Sequence, residues 1–169
     1  MKRMTQHVFI TGGAGYIGSV LTSLLLSEGY KVTVLDNFLY SQTSLLHLIR
    51  DENLTVVRGD ACNQEIVKSL VAKADIIIPL ACLVGAPLCD KDPVGAKNIN
   101  YDAIEFILSI KKDTQLLVFP NTNSGYGVGK DSEFCTEESP LNPISLYGKL
   151  KVAIEEKILE ANGISLRLA

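Results

Sequence analysis

The sequence has no tryptophan, only two histidines and two methionines, and four cysteines with no CxxC pair among them. Cys62, Cys82, Cys89 and Cys135 have no histidine at metal-ligand spacing, which argues against a zinc site. His7 and His47 adjoin no candidate partner, so histidine-based catalysis is not expected. The cysteines read as small buried hydrophobes in a reducing cytoplasm, although Cys82 and Cys89, seven apart, could approach each other. Positive charge is not in excess either. Sixteen basic against nineteen acidic residues give a net charge of −3, which excludes a basic nucleic-acid surface. No apolar run reaches membrane-spanning length, and one of the longest, 76–84, has about half the ~20 residues required. Residues 1–7 are polar and lead straight into a strand, with no signal peptide visible. What remains is 169 residues, 47% of them hydrophobic, enough for one domain with a substantial core and too apolar for disorder.

Short β-branched runs alternate with stretches of helical period. Strands are expected at 7–11, 31–35, 54–58, 75–80, 115–119 and 164–168. They are mostly apolar rather than alternating, as in strands covered on both faces. Helices are expected at 16–28, 41–50, 63–72, 93–110 and 143–161, with Gly29 and Gly163 placed as C-caps. Regular β-then-α order implies an α/β, doubly wound parallel sheet with right-handed crossovers, strand order 3-2-1-4-5-6. The connection 121–142 is unusually long and rich in glycine, and it leaves the carboxyl end of a strand, where such folds place function.

The first strand runs into TGGAGYIG at 11–18, and a helix follows. That context turns a weak glycine pattern into a dinucleotide fingerprint. Gly12 permits the tight turn, Gly15 lets the backbone approach a pyrophosphate, and Gly18 lets the helix pack on the strand. Amides around Tyr16 and Ile17, with the helix dipole, suit an anion. The second strand ends in Asp36, eighteen residues after Gly18. A carboxylate there accepts ribose hydroxyls and repels a 2′-phosphate, favouring NAD over NADP. Asp60, after the third strand, is placed to accept from an adenine amino group.

Tyr147 and Lys151 are four apart on an expected helix and share a face. A cation about 4 Å from a phenol, at an effective dielectric near 20, is worth roughly three pKa units. Lys151, helped by an oxidised nicotinamide, would thus bring Tyr147 toward neutrality and let it act as a base. The spacing alone is cheap, and Tyr126 with Lys130 repeats it. The glycines around that second pair cannot hold a helix.

These motifs together resemble the extended short-chain dehydrogenase/reductase family of NAD-dependent nucleotide-sugar epimerases and dehydratases, over the whole chain. The resemblance implies that residues 11–18 are the cofactor turn, Asp36 and Asn37 the ribose site, and Asp60 with Ala61 the adenine site. Leu80 and Ala81 match a nicotinamide-proximal turn, and Asn98 an active-site asparagine. PNTNSGYG at 120–127 is similar to the family's Ser/Thr segment, with Thr122 as the catalytic hydroxyl. Tyr147 would then deprotonate a sugar hydroxyl, Thr122 would hold the same oxygen, and Lys151 would bind the nicotinamide ribose. The implied reaction is oxidation at C4 of a nucleotide sugar by NAD, as a 4-epimerase or net 4-dehydrogenase. A non-catalytic NAD-binding, redox-sensing module is the alternative. Where family dehydratases carry an acidic pair, this chain has Asn123 and Ser124, which argues against dehydration. PLACLVGAPLC at 79–89, with PNTNSGYG, looks similar to a subset acting on GDP-heptoses. Residues 1–169 read as one NAD-binding domain, with the C-terminal substrate lobe absent from this chain. The helices 93–110 and 143–161 match the family's dimer surface, so a homodimer is expected.

Overall fold

A computed structural model describes residues 5–128 and 134–168. Lys130, of the second Tyr/Lys pair, lies outside the described residues. Six parallel strands form one sheet in the order β3-β2-β1-β4-β5-β6: β1 (His7–Thr11), β2 (Lys31–Asp36), β3 (Leu54–Arg58), β4 (Ile76–Pro79), β5 (Leu116–Thr122) and β6 (Ile164–Leu168). The order reverses beside β1, which pairs β2 on one side (Ile10 with Val34) and β4 on the other (Ile10 with Ile78). The carboxyl ends of the strands flanking that reversal leave the crevice where doubly wound sheets bind ligands.

Successive residues of the central strands enter two different cores. Phe9, Leu35, Ile77, Leu117 and Phe119 pack against α2 (Gln64–Val71), α5 (Ala103–Ile110) and α6 (Leu146–Glu160). Val8, Ile10, Val32, Val34 and Ile78 face the other way, toward α1 (Tyr16–Ser27) and Leu45. Val8, Phe9 and Ile10 are all fully buried, so the apolar run of β1 is explained by cover on both faces. β6 departs from that expectation. Ser165 and Arg167 point into the α6 layer, whereas Ile164, Leu166 and Leu168 are 44–45% exposed.

The helices differ from expectation in instructive ways. Residues 41–50 hold only a short 3-10 turn, Leu46–Leu48. Phe38 and Ser41 adopt positive φ, and the Ser44 hydroxyl donates to the Ala14 carbonyl at 2.7 Å, so this segment drapes over the glycine turn instead of coiling. The expected helix 93–110 is α4 (Pro93–Lys97), a π-helical stretch (Asn98–Asp102) and α5 in succession, and a further short helix, α3 (Ala86–Lys91), precedes it. α6 starts later than expected because Ser145 is its N-cap, accepting from the Gly148 amide at 3.0 Å. At its far end the left-handed residue is Asn162, not Gly163. Gly163 is instead required by space, since an added Cβ would meet Ile158 Cγ2 at 2.6 Å. Among the described residues no helix is long and apolar enough to cross a membrane.

Candidate cofactor cleft and catalytic tyrosine

β1 ends at Thr11 and the chain turns at Gly12, φ +71°, a conformation that suits glycine. A Cβ at Gly12 would come within 2.6 Å of the Ala81 amide nitrogen, and one at Gly18 within 2.6 Å of the Gly12 carbonyl oxygen. At Gly15 an added Cβ would meet only the Gly12 oxygen, at 3.2 Å, leaving its outer side open. Gly15 is the N-cap of α1, with no side-chain cap and no acidic residue in the first turn. The amides of Tyr16, Ile17 and Gly18 therefore lack a partner within the helix, and Tyr16 is 91% exposed. An uncapped helix start next to glycine backbone is a seat for phosphate.

Asp36 is 7% exposed, and its carboxylate accepts from the Ala14 amide at 2.9 Å and the Phe38 amide at 2.8 Å. It thus has a task that sequence spacing did not reveal: it ties the glycine turn to the end of β2. Each oxygen keeps acceptor capacity for a ribose hydroxyl. A cleft of about 420 Å³ is lined by Gly12, Asp36, Asn37, Asp60, Ala61, Leu80, Ala81 and Asn98, among others. All eight were expected from sequence to touch a dinucleotide. Gly15, Tyr16, Ile17 and Gly18, also expected to bind the cofactor, form the start of α1 and do not line this cleft.

Cysteine positions correct the expectation of four buried thiols: Cys89 is buried and Cys82 half-buried, but Cys62 and Cys135 are exposed. Cys62 lines the cleft beside Asp60. Partial burial, then the Asp60 carboxylate, push its thiol up to about 11, so it stays protonated at neutral pH. Among the described residues no cluster of His, Cys, Asp and Glu could hold a metal ion.

The catalytic candidates gather at the carboxyl end of β5. Lys151, 4% exposed, donates from Nζ to the Pro120 carbonyl at 3.4 Å and stacks 4.1 Å from the Phe119 ring centre. Burial lowers its pKa, partly opposed by the Cys82 and Cys89 thiols. Thr122 Oγ1 accepts from the Ser124 amide and donates to the Ser124 hydroxyl, each at 3.1 Å, capping the turn Asn123–Gly125. The same hydroxyl bears on the Tyr147 phenol and favours its ionised form. Burial is the larger effect, and with the charge and hydrogen bond of Cys82 it pushes Tyr147 up to about 12. The expected lowering drew on Lys151 together with an oxidised nicotinamide, and Lys151 alone does not outweigh burial of the phenol. Its ammonium is spent on Pro120 and Phe119, and the walls of the site desolvate the phenolate.

Two further residues build the site. Asn100, fully buried in the π-helical stretch, accepts from the Leu83 amide at 2.9 Å and donates to the Leu83 carbonyl at 3.0 Å. The Ala81 amide donates to Thr11 Oγ1 at 3.2 Å. The loop after β4 is thereby clamped on both sides of Cys82. Nothing in the sequence marked Asn100 apart from Asn98, because the π turn that separates their directions is not legible in the residue pattern. The clamped glycine turn, the pinned Asp36 and the cleft reaching from Asp60 to Ala81 together fit an extended dinucleotide.

Residues 8–166 match the model of the NAD dependent epimerase/dehydratase family. A UDP-glucose 4-epimerase of Cyamopsis tetragonoloba is 31% identical over 166 residues, which cover 90% of this chain and 46% of that protein. Among solved structures, the Bordetella bronchiseptica enzyme WbmH in complex with NAD+ superposes with a TM-score of 0.85 at 28% identity, over 98% of this chain and 57% of that one. The Thermus thermophilus UDP-glucose 4-epimerase in complex with NAD gives 0.82 at 27% identity, over 95% and 54%. The chain spans about half the length of the proteins it matches.

Proposed function

The chain belongs to the NAD dependent epimerase/dehydratase family, whose cofactor is NAD, and from that premise we propose that it is the cofactor-binding part of an enzyme that oxidises C4 of a nucleotide sugar. What supports this reading is the Thr122 hydroxyl bearing on the Tyr147 phenol at the carboxyl end of β5, with the Lys151 ammonium held by the Pro120 carbonyl of the same strand. Gly12, Gly15 and the amides of Tyr16, Ile17 and Gly18 would hold the pyrophosphate. Asp36 and Asn37 would take the adenosine ribose, Asp60 and Ala61 the adenine, and Leu80, Ala81, Asn98 and Lys151 the nicotinamide end. Bound NAD supplies the acceptor for the hydride that leaves the sugar. Tyr147 receives the proton of the C4 hydroxyl while Thr122 hydrogen-bonds the same oxygen. For that the phenol must fall well below its value of about 12, and a positive charge brought near it as the cleft fills acts in that direction. A 4-keto sugar that turns over and is reduced again gives a 4-epimer. One that is released gives net 4-dehydrogenation. Asn123 and Ser124 offer no carboxylate for removing a neighbouring hydroxyl, so dehydration is not proposed.

The test mixes the whole protein with nucleotide sugars, UDP-hexoses and GDP-heptoses first, and follows the absorbance of reduced nicotinamide. A transient supports epimerisation and accumulation supports net oxidation. No signal and no product with any sugar, in a protein that binds NAD, would leave the non-catalytic NAD-binding module.

Two copies would pair through residues 93–110 and 143–161. Ile107, Ile154 and Ile158 are taken up by the core and Phe106 packs against it, which leaves exposed Val94, Ile144 and Leu159 among the apolar residues available for pairing. Sedimentation of the whole protein as a dimer supports this, and a monomer at all concentrations opposes it.

A further inference from the structure

Glu155 lies where two hydrogen-bonded arms meet, and both arms reach the same turn. The first runs through β6 to the end of β5. Ser165 donates to Glu155 Oε1 at 2.6 Å, Asn121 Nδ2 donates to Ser165 at 3.4 Å, and Asn121 Oδ1 accepts from the Thr122 amide at 2.9 Å. The second runs through Arg167, which donates from Nε to both Glu155 oxygens and from Nη1 to the Tyr126 hydroxyl at 3.2 Å. The arms therefore grip the chain at Thr122 and at Tyr126, on either side of the turn Asn123–Gly125. α6 packs directly against that turn: a Cβ at Gly148 would meet the Ser124 carbonyl oxygen at 2.9 Å, and one at Gly125 would meet Val152 Cγ2 at 3.0 Å.

We propose that Glu155 is a positioning residue for the turn that carries the Thr122 hydroxyl, holding that turn in register with Tyr147 and Lys151 of α6. The inference rests on the reading of Thr122 as the group that binds the sugar oxygen. Tyr147, Lys151 and Glu155 follow one another at intervals of four residues on α6, so one helix face carries all three. Glu155 is 3% exposed and Asn121 6%, so water does not compete for the arms at their roots. A buried ion pair is roughly neutral in stability against apolar residues that fill the same space, so the value of this one lies in what its hydrogen bonds hold. Cutting either arm leaves the pair of Glu155 and Arg167 intact and frees one end of the turn. Thr122 then strays from the place where it meets the sugar oxygen, and a misplacement on the order of 1 Å is enough to slow the reaction without touching the cofactor.

Two variants cut one arm each. Tyr126→Phe removes the hydroxyl that Arg167 holds, and Ser165→Ala removes the link from Glu155 to Asn121. Amide hydrogen exchange, read by NMR on this chain as it stands, reports the turn without turnover. The Ser124 amide donates to Thr122 Oγ1 and the Tyr126 amide to the Asn123 carbonyl. Each variant is expected to speed exchange at those two amides roughly tenfold, the effect of losing one hydrogen bond to a charged group, with the amides of β1 unmoved. A merely structural role would speed both sets together, through global unfolding. In the whole protein, kcat for oxidation of the sugar should fall roughly tenfold in each variant, with NAD affinity unchanged because neither residue lines the cofactor cleft. Turn amides that exchange at the parent's rate in both variants, or faster only in step with β1, would overturn the proposal. So would an unchanged kcat in variants whose turn is loosened, where Thr122→Ala slows the reaction. If Thr122→Ala leaves turnover intact, the catalytic reading of Thr122 fails and the anchoring of the turn stands on exchange alone.

Discussion

Tyr147→Phe is expected to slow oxidation of the sugar by roughly 10²–10⁴-fold, the range for losing a positioned proton acceptor. The loss should fall on kcat, with NAD binding unchanged, because the cleft walls from Gly12 to Ala81 do not include the phenol. The lost hydroxyl would act chiefly in the transition state, where the C4 proton moves, so KM should change little. Tyr147 is only half-buried, and phenylalanine keeps its ring, so the fold is not at risk. Thr122→Ala should cost less, since Thr122 holds an oxygen without taking the proton. Rates of nicotinamide reduction under single-turnover conditions, for the parent and both variants, check the ranking. A Tyr147→Phe rate within threefold of the parent would remove the tyrosine from the mechanism.

The largest expected effect on stability lies on β6. Arg167 donates from Nε to both Glu155 oxygens, at 3.0 and 3.1 Å, and from Nη1 to the Tyr126 hydroxyl at 3.2 Å and the Glu137 carbonyl at 3.0 Å. Glu155 is 3% exposed and also accepts from the Ser165 hydroxyl at 2.6 Å. Burial alone would raise its carboxyl. Hydrogen bonds from Arg167, Ser165 and Asn121, with the charge of Arg167, more than reverse this and hold it below the ordinary value. Arg167→Ala leaves that carboxylate buried without its cation, at an expected cost of about 3 kcal/mol. Replacing both partners by apolar residues should recover most of the loss. The sign with pH follows from the lowered carboxyl. As pH falls below about 4.3, the unfolded glutamate takes up its proton before the folded one does. The pair's contribution is thus whole above that value and lost as pH drops through the folded pKa. In Arg167→Ala the carboxyl rises instead, and the acid loss should flatten or invert. Urea melts of the two proteins at several acid pH values decide it. Equal stability of parent and Arg167→Ala throughout would show the pair to be energetically idle.

Much of the architecture was legible because it depends on local pattern. β1, β3 and β6 fall at the residues expected, and the strand order followed from β–α alternation with a glycine turn first. The misreadings have physical causes outside that pattern. Residues 41–50 carry a helix-like spacing of leucines, but Leu45 and Leu48 serve a core beneath the glycine turn, and Ser44 is drawn to the Ala14 carbonyl. The π turn at Asn98–Asp102 leaves no mark on hydrophobic period, yet it sends Asn98 to the cleft and Asn100 to the Leu83 clamp. β6 was grouped with the doubly covered strands although its leucines and isoleucine alternate with Ser165 and Arg167, and only tertiary structure shows the polar pair turned inward.

In the site, Gly12 and the strand-end residues Asp36, Asp60 and Leu80 could be expected around one cleft because turn geometry and strand order at fixed spacing bring them together. Spacing along a helix says nothing of burial, which sets the resting phenol high. Pro120 and Phe119 claim the Lys151 ammonium, and the phenol answers first to desolvation. Cys82 reads in the sequence as a small hydrophobe that could approach Cys89, and the two thiols do share the Leu83 carbonyl.

The most direct test of the account is a calorimetric titration of this chain with NAD and with NADP, beside Gly18→Val as a variant whose side chain would collide with the Gly12 carbonyl. The account predicts NAD binding at least roughly tenfold tighter than NADP, because the pinned Asp36 carboxylate repels a 2′-phosphate, and loss of both in the variant. Binding of NADP as tight as NAD, or no binding of either by the folded chain, would contradict it.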